Sequence, residues 1–267
     1  MSLKDKVFVV TGGGNGIGRE VVLNLLRRGS KVAAIDISRD ALLETKELAN
    51  SKSNELRLYD LDITNLDKVE EAHKSIIKDL NYIDGLIHVA GIIQPFVKVM
   101  DLSYEDIERV MNVNFYGTVY LNKTFLTSLL QREQSYLVNV SSMGGFLPVP
   151  GQAVYGASKA AVKLMTEALY SELKDTNVSV TLVFPGAINT NISANSNVKM
   201  DVEEERSNTK VKMLDADIAA EKIVKAMLKK KLYSYVGSDS KMMNRLYRLA
   251  PKKSTNLISK KMGNLLK

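Results

Sequence analysis

The sequence Lys6-Val-Phe-Val-Val-Thr-Gly-Gly-Gly-Asn-Gly-Ile-Gly18 is an apolar run followed by a turn rich in glycine. The run predicts a short buried strand, and the amphipathic residues 19–28 predict a helix that ends at Gly29. Between them, the glycines let the backbone approach a pyrophosphate, and the start of the helix offers unpaired N–H groups to it. We therefore predict a strand, a phosphate-binding turn and a helix over residues 6–29.

A second predicted strand, residues 32–36, ends in a carboxylate, Asp36. An acid about 20 residues after such glycines binds the 2'-hydroxyl of a ribose and repels a 2'-phosphate. Asp36 therefore favours NAD(H) over NADP(H) as the dinucleotide. The alternative is that Asp36 caps the helix that starts near Arg39.

Strand and helix patterns alternate along the rest of the chain. Apolar runs predict strands at residues 55–59, 85–89, 136–140, 178–184 and 232–236. Amphipathic runs predict helices at about residues 39–50, 65–79, 103–131, from Ala153 onward, and at 216–230. The alternation is typical of the α/β class, with a Rossmann-like, doubly wound parallel sheet of about seven strands and helices on both faces.

Ligands of such a sheet bind at the carboxyl ends of its strands. Residues that directly follow predicted strands should therefore line one edge, and they include Gly12 to Gly18, Asp36, Asp62, Ala90, Gly91, Ser142, Pro185 and Gly186. Because no composition shift before about residue 220 marks a linker, we expect one Rossmann-type domain over residues 1–237. Residues 238–267 are expected to form a helical extension.

An acidic hydroxyl and a cation, Tyr155 and Lys159, follow a strand-like run that ends in Ser141 and Ser142. On a helix from Ala153 the two side chains would be one turn apart, on the same face. A tyrosine has a pKa of about 10, and a neighbouring ammonium would favour its phenolate and make it a general acid or base. The alternative is an ordinary surface helix with one aromatic residue and one lysine.

These residues together resemble the short-chain dehydrogenase/reductase family, over roughly residues 4–237. The motifs that carry the resemblance are Thr11-Gly12-x-x-x-Gly16-x-Gly18, Asp62, Asn112-Val-Asn114-Phe-Tyr-Gly117, Ser142, Tyr155-x-x-x-Lys159 and Pro185-Gly186-x-x-x-Thr190. The resemblance implies a single Rossmann domain that transfers a hydride between a nicotinamide cofactor and a small molecule.

The resemblance also implies roles for matched residues. Tyr155 would exchange a proton with the substrate oxygen, and Ser142 would hydrogen-bond that oxygen. Lys159 would bind the nicotinamide ribose and lower the tyrosine pKa, and Asn114 would anchor a water that extends the proton relay. The implied cofactor site comprises Gly12, Asn15, Gly16, Ile17, Gly18, Asp36, Asp62, Ile63, Ala90, Gly91, Tyr155, Lys159, Pro185, Gly186, Ile188 and Thr190.

The fourth predicted strand departs from the family pattern. Where the family usually has Asn-Asn-Ala-Gly, this chain has His88-Val89-Ala90-Gly91. Backbone contacts at Ala90 and Gly91 survive this change, but the side-chain hydrogen bonds of two asparagines do not carry over. We interpret His88 as a strand residue that is satisfied by a neighbouring backbone group, and not as a catalytic residue.

The family holds its substrate between the loop after Gly91, the loop before Tyr155 and a variable segment after Thr190. In this chain the first two loops supply apolar side chains, namely Ile92, Ile93, Phe96, Met143, Phe146, Leu147 and Val149. They predict an apolar wall and a carbonyl or secondary-alcohol substrate with a hydrophobic body. The polar and charged residues 191–213 would suit a mobile lid.

Composition excludes several other classes of protein. There is no cysteine, and the two histidines, His73 and His88, are far apart, so we expect no disulfide, thiolate chemistry or metal site. The longest apolar run, residues 85–93, is too short to cross a membrane, and the first residues lack a signal-peptide core. We therefore expect a cytoplasmic protein.

The basic residues concentrate in the tail. Residues 222–267 carry thirteen Lys and Arg against one acid, Asp239, so the net charge of +7 does not predict nucleic-acid binding by the main domain. From Met242 to Leu266, apolar residues recur at helical spacing among these cations, with Pro251 between two segments. The tail could pack on its own domain or on a sister subunit, or it could contact an anionic membrane or an acidic partner.

The primary prediction is an NAD(H)-dependent oxidoreductase that interconverts a secondary alcohol and a ketone. One alternative is a 3-oxoacyl-thioester reductase whose tail docks an acidic carrier protein, although that reaction usually uses NADPH and Asp36 speaks against it. A second alternative is a non-catalytic NAD-binding scaffold or sensor. The resemblance also implies a homodimer or homotetramer, formed through the helix at 103–131 and the helix of Tyr155.

Overall fold

A parallel β-sheet forms the centre of the molecule. The computed structural model describes residues 3–196, 198 and 213–263, and within them seven parallel strands pair in the order β3-β2-β1-β4-β5-β6-β9. These strands are β1 (Val7–Thr11), β2 (Lys31–Asp36), β3 (Leu56–Asp60), β4 (Gly85–His88), β5 (Ser135–Val140), β6 (Val178–Pro185) and β9 (Tyr233–Val236). A separate parallel pair consists of β7 (Ile188–Asn189) and β8 (Leu214–Asp215).

Helices cover both faces of the sheet. They are α1 (Gly16–Arg27), α2 (Arg39–Leu48), α3 (Leu66–Leu80), α4 (Tyr104–Met111), α5 (Gly117–Leu129), α6 (Ala153–Glu172), α7 (Ile192–Asn195), α8 (Ala216–Leu228), α9 (Ser238–Leu249) and α10 (Pro251–Met262). One apolar core packs α1, α2 and α8 on one face of the sheet, and a second core packs α3 and α5 on the other. The predicted doubly wound α/β fold is confirmed.

The strand register brings the predicted site residues to one edge. At the carboxyl ends, Thr11 of β1 pairs with Ile35 of β2 and with His88 of β4, and His88 pairs with Asn139 of β5. From β1 the sheet grows in one direction through β2 and β3 and in the other direction from β4 onward. The gap between β1 and β4 is therefore the topological switch point, where such sheets bind ligands.

Two predicted segments differ in detail. The helix predicted at 103–131 is interrupted by a π-helical turn at Asn112–Tyr116, between α4 and α5. The lid predicted at 191–213 falls largely outside the described residues, which include only its first part, with α7, and residues 198 and 213. Within the described ranges, no helix is long and apolar enough to cross a membrane.

The predicted helical extension forms α9 and α10, and Pro251 is the first residue of the second helix, where a missing N–H costs nothing. Met243 and Ile258 are buried against Leu147, in a small apolar cluster with the loop that precedes α6. The inner faces of the two helices therefore pack on the chain's own domain, while residues 264–267 lie outside the described part.

Candidate active site

A cleft of about 620 Å³ opens at the carboxyl edge of the sheet. The structure brings most of the predicted cofactor residues to its lining: Gly12, Asn15, Gly16, Ile17, Gly18, Asp36, Asp62, Ile63, Ala90, Gly91 and Thr190. Five predicted cofactor residues are not in this lining, namely Tyr155, Lys159, Pro185, Gly186 and Ile188. Residues that no motif indicated, among them Ile37, Ser38 and Arg109, complete it.

The tight turn before α1 requires glycine for steric reasons. Gly12 and Gly16 have φ angles of +69° and +50°, in the left-handed region that side chains disfavour. A Cβ on Gly18 would overlap the carbonyl oxygen of Gly12, so any side chain there would push the turn open. Asn15 caps α1 by accepting a hydrogen bond from the Gly16 amide at 2.9 Å. The turn thus presents bare backbone to the cleft.

Asp36 lies at the end of β2 and is held by the backbone. Its carboxylate accepts hydrogen bonds from the amide of Gly14 at 2.9 Å and from the amide of Ser38 at 3.1 Å. The cap of α2 is Ser38, whose Oγ accepts from the Ala41 amide at 3.2 Å. The alternative interpretation of Asp36 as a helix cap is therefore wrong, and its carboxylate faces the glycine turn.

Asp62 and Thr190 also line the cleft. Asp62 accepts hydrogen bonds from the amide and hydroxyl of Thr64, at 2.9 and 2.8 Å, which fixes the turn into α3. A Cβ built on Gly16 would lie 3.3 Å from Thr190 Cγ2. Gly186, by contrast, packs against the carboxylate of Asp239 in α9. This contact holds the end of β6 to the tail, which explains why Gly186 is not in the cleft lining.

The start of α6 is fixed by a residue that sequence reasoning missed. Gln94 is fully buried, and its Oε1 accepts hydrogen bonds from the amides of Val154 and Tyr155, at 2.8 and 2.9 Å. At the next turn, the hydroxyl of Ser141 donates to the carbonyl of Lys159 at 2.7 Å. Gln94 thus satisfies two of the orphan N–H groups of the helix that carries the predicted catalytic pair.

Ser142, Tyr155 and Lys159 come together at the end of β5. Tyr155 shares a hydrogen bond with Ser142, whose Oγ also accepts from the Gly144 amide at 3.0 Å. Lys159 is only 4% exposed and donates from Nζ to the carbonyl of Val140 at 3.2 Å. The predicted helical pair is therefore present, and it faces inward, not outward as on an ordinary surface helix.

The ionisation of this pair differs from the prediction. Burial raises the pKa of Tyr155, and the hydrogen bond with Ser142 opposes this rise. Burial also lowers the pKa of Lys159 to about 8. The expected lowering of the tyrosine pKa by Lys159 is not what the structure gives, because the amine is itself desolvated and its N–H is directed at Val140.

Asn114 joins the loop after β4 to α6. It lies in the π-helical turn and is fully buried. Its Oδ1 accepts from the Ile92 amide, and its Nδ2 donates to the Ile92 carbonyl and to Ser158 Oγ, all at 2.9 Å. Both amide N–H groups are therefore taken by the protein. If Asn114 anchors a water, as the resemblance implies, it must do so through an oxygen atom that accepts a hydrogen bond from that water. The side chain itself positions the backbone of Ile92.

His88 is buried and uses both ring nitrogens. Nδ1 lies 2.7 Å from Thr11 Oγ1, and Nε2 lies 2.8 Å from Thr118 Oγ1. Burial, with a smaller effect from Lys159, lowers the pKa of His88 to about 3, so the ring is neutral. The expected backbone partner of His88 is thus wrong, since two threonine hydroxyls satisfy the ring.

The direction of these hydrogen bonds follows from the proton count. The Thr118 hydroxyl donates to the Asn114 carbonyl at 2.5 Å, so it accepts from Nε2–H of His88. Nδ1 must then accept from the Thr11 hydroxyl, whose oxygen accepts from the Ala90 amide at 3.3 Å. His88 therefore links the backbone of Ala90, which lines the cleft, to the carbonyl of Asn114.

We predict that His88→Ala lowers the free energy of unfolding by about 3 kcal/mol, because it leaves a buried cavity and two hydroxyls without a partner. His88→Asn, the usual family residue, should lose less because an amide can bond one hydroxyl. His73→Ala is the matched control, since that ring is partly exposed and, among the described residues, has one hydrogen-bond partner, Ser128 Oγ at 2.7 Å. Urea unfolding measures all three, and equal losses for His88 and His73 would contradict the prediction.

Known proteins resemble the chain over most of its length. The family model described as short chain dehydrogenase matches residues 6–201. The Mycobacterium tuberculosis protein SadH, named as an oxidoreductase, is 32% identical over 256 residues, which cover 93% of this chain and 92% of SadH.

Solved structures share the fold. A short-chain dehydrogenase/reductase from Burkholderia phymatum in complex with NAD has a TM-score of 0.84 at 22% identity, covering 93% of this chain and 96% of that chain. A short-chain dehydrogenase from Burkholderia cenocepacia in complex with NADP has a TM-score of 0.80 at 23% identity, covering 97% and 99%.

The family match covers well over half of the chain, and it includes the glycine turn and the Ser142, Tyr155 and Lys159 cluster. Within the described residues, no three His, Asp or Glu side chains lie close enough together to hold a metal ion. The fold, the cleft and the similarity to SadH agree, and the chain belongs to the short-chain dehydrogenase/reductase family of oxidoreductases.

Proposed function

We propose that the protein is an NAD(H)-dependent oxidoreductase that interconverts a secondary alcohol and a ketone on a hydrophobic substrate. The observation that carries this proposal is the convergence of Tyr155, Ser142 and Lys159 at the end of β5, with Lys159 beside Gly91 of the cleft lining. A Cβ on Gly91 would lie 2.8 Å from Lys159 Nζ and 3.0 Å from Asn114 Oδ1. Only glycine at position 91 leaves room for the Lys159 amine and the Asn114 amide oxygen at this edge of the cleft.

The residues present fit a nicotinamide dinucleotide. The glycine turn exposes backbone N–H groups at the start of α1, where the helix dipole favours a pyrophosphate. Two structural relatives contain NAD or NADP, which supports a cofactor of this class. When bound, the nicotinamide would accept or supply the hydride, and the protein would supply orientation and one proton.

In this proposal Tyr155 is the proton donor in the reductive direction. Burial keeps its pKa above the ordinary value, so the phenol is protonated at neutral pH and can donate to a ketone oxygen. Ser142 would hold the same oxygen through its hydroxyl, and the Gly144 amide fixes the rotamer of that serine. Lys159 would bind the nicotinamide ribose from its buried position.

The preference for NAD(H) rests on Asp36, whose carboxylate lines the cleft and is held by two backbone amides. A fixed negative charge at this position would repel a 2'-phosphate. The same charge speaks against the alternative of an NADPH-dependent 3-oxoacyl-thioester reductase.

A hydrophobic substrate is supported by fewer residues than the sequence suggested. Ile92 lines the cleft, whereas Met143, Phe146, Leu147 and Val149 pack in the cluster with α9 and α10. These four residues belong to the loop between Ser142 and Tyr155 and pack against the tail, so the loop and the tail would together build one side of the substrate site.

The proposal is tested by following NADH absorbance with a panel of steroid, acyl-thioester, polyol and simple ketone substrates. We expect turnover with an apolar ketone and none when Tyr155 is replaced by phenylalanine. Binding of NADH without turnover on any substrate, including ketones supplied in lipid vesicles, would favour the sensor alternative instead.

The buried amine also predicts a pH dependence of stability. The folded-state pKa of Lys159, about 8, lies below its unfolded value of 10.5. The unfolded chain therefore binds more protons between these values, so stability rises with pH across this window. Without cofactor, Lys159→Met should be more stable than the parent by about 3 kcal/mol at pH 7 and by about 1 kcal/mol at pH 9.5.

The control for this prediction is Lys163→Met, one turn further along α6. Lys163 is partly exposed and forms an ion pair with Glu167 at 2.9 Å. Its removal should change stability by less than about 1 kcal/mol, and because Lys159 is retained, stability should still rise between pH 8 and 10 as in the parent. Urea unfolding at several pH values measures the slope, and a parent slope that persists in Lys159→Met would assign the titration to another group.

Association through α4, α5 and α6 is also part of the proposal. Large apolar side chains are exposed on α4, on the π-helical turn before α5 and on α6, namely Tyr104, Tyr116 and Leu164, and the exposed fraction of Leu164 is 68%. Such exposure on neighbouring helices is typical of an interface between subunits. We propose a homodimer or homotetramer in the cytoplasm, with a small-molecule carbonyl or alcohol as the substrate.

A further inference from the structure

The outer faces of α9 and α10 form an exposed surface, which we call the tail surface. Its apolar members are Met242, Leu246, Leu249 and Leu257, and Leu249 is 86% exposed. Its basic members are Lys241, Arg245, Arg248, Lys252, Lys253, Lys260 and Lys261, and all of them are exposed. Apolar and cationic side chains are therefore interleaved on one pair of helices.

The spacing orders these side chains. Met242, Leu246 and Leu249 follow at i, i+4 and i+7, so they form one stripe along α9. Arg245 precedes Leu246 and borders that stripe. On α10, Leu257 is flanked by Lys253 and Lys261, one turn away on either side. This arrangement is typical of helices that lie in the plane of a membrane interface.

The tail surface carries no compensating acid. Asp239 is the sole acid of residues 238–263, and it faces inward, where it accepts a hydrogen bond from the Ala187 amide at 2.8 Å. Among the described residues, none of the seven cations forms an ion pair. The surface is therefore strongly positive and is available to an anionic partner.

The inner faces fix this surface beside the candidate active site. Met243 and Ile258 are buried against Leu147, and Ser240 donates to the Phe184 carbonyl at 2.8 Å. Leu147 belongs to the loop between Ser142 and Tyr155. A surface that binds α9 and α10 would consequently lie next to the loop that borders the substrate.

We propose that the tail surface docks on an anionic phospholipid membrane and that the substrate is an apolar alcohol or ketone dissolved in that membrane. The second part rests on the proposed function, and the first does not. Docking needs apolar side chains that enter the bilayer and cations that attract its anionic headgroups. The stripe supplies the first and the basic residues beside it supply the second.

Other occupants fit less well. A second copy of this chain would bring seven cations against seven, with no acid between them. An acidic protein would need a concave site for Leu249, which protrudes at the corner between α9 and α10, whereas a bilayer accepts a protruding side chain without a matching cavity. Binding to such a protein remains an outcome that the test can reveal.

The first experiment measures co-sedimentation of the full chain with phosphatidylcholine vesicles, with and without phosphatidylglycerol. We expect binding to the anionic vesicles only, and weaker binding in high salt. Lys252→Glu/Lys253→Glu should lower the partition coefficient by at least about fivefold for each cation removed, and Leu249→Asp should also weaken binding. Lys78→Glu/Lys174→Glu, with the same charge change at exposed sites outside the tail, should have a much smaller effect.

No binding to either vesicle, or equal losses in the tail and control variants, would overturn the docking proposal. So would binding to an acidic protein but not to lipid.

The second experiment compares turnover of one apolar ketone supplied in anionic or in neutral vesicles. We expect faster turnover with the anionic vesicles, and a loss of this advantage in Leu249→Asp, whose turnover of a water-soluble ketone should stay unchanged. Equal turnover in both vesicles would overturn membrane delivery of the substrate. Vesicle binding without any turnover would support docking and overturn the proposed function instead.

Discussion

Tyr155→Phe should lower kcat by about 10²- to 10⁴-fold while NADH binding is retained. The substitution removes one hydroxyl, and the backbone amide of Tyr155 keeps its hydrogen bond to Gln94, so α6 should begin at the same place. Ser142 loses a partner but keeps the Gly144 amide. The expected defect is therefore in proton transfer. Stopped-flow absorbance of NADH measures turnover, and nicotinamide fluorescence measures binding.

The matched control is Tyr170→Phe, on the same helix, where the side chain is 40% exposed and lies outside the cleft. This variant should keep the parent kcat and KM. If Tyr155→Phe also kept its activity, another group would donate the proton. If it lost NADH binding as well, the effect would be structural and the hydroxyl could not be assigned to the chemistry.

Sequence periodicity was sufficient to predict the layers of the fold. Strand β1 and helix α1 are adjacent in sequence and are joined by glycines whose conformation no other residue adopts easily, so a local pattern determines a local structure. The same holds for Asp36, which ends a strand that pairs directly with β1. Their positions at one edge follow from the parallel connection of the strands.

Contacts between distant residues could not be predicted in this way. Gln94 caps α6 across 60 positions of the chain, and nothing near Gln94 in the sequence indicates a helix end there. The partners of His88 are Thr11, 77 residues earlier, and Thr118, 30 residues later. Polar residues such as these have no periodicity of their own, because their positions are set by the folded sheet.

Burial explains the error about the catalytic pair. The helical spacing of Tyr155 and Lys159 predicts their shared face, but not whether that face points to water or to protein. In the structure it points inward, so desolvation determines both pKa shifts. The tail illustrates the same limit, since its apolar residues split into a buried face with Met243 and an exposed stripe with Leu246.

Asp36→Ala should reduce the preference for NAD over NADP by about 10²-fold in kcat/KM. Repulsion between a carboxylate and a phosphate charge about 4 Å apart is worth about 4 kcal/mol at the effective dielectric near a protein surface. Partial exposure of Asp36 reduces this repulsion to about 3 kcal/mol, which corresponds to a change of about 10²-fold in the ratio of kcat/KM values. The variant also frees the amides of Gly14 and Ser38, which could then donate to a 2'-phosphate.

The control for this second prediction is Asp40→Ala, which removes an exposed charge in the first turn of α2 but not from the cleft lining. The ratio of its kcat/KM values with NADH and with NADPH should equal that of the parent. Steady-state rates with NADH and NADPH on one ketone give both ratios. An unchanged ratio in Asp36→Ala would mean that the ribose 2'-hydroxyl is recognised by another group. Equal changes in both variants would mean that net charge, and not a contact with Asp36, sets the preference.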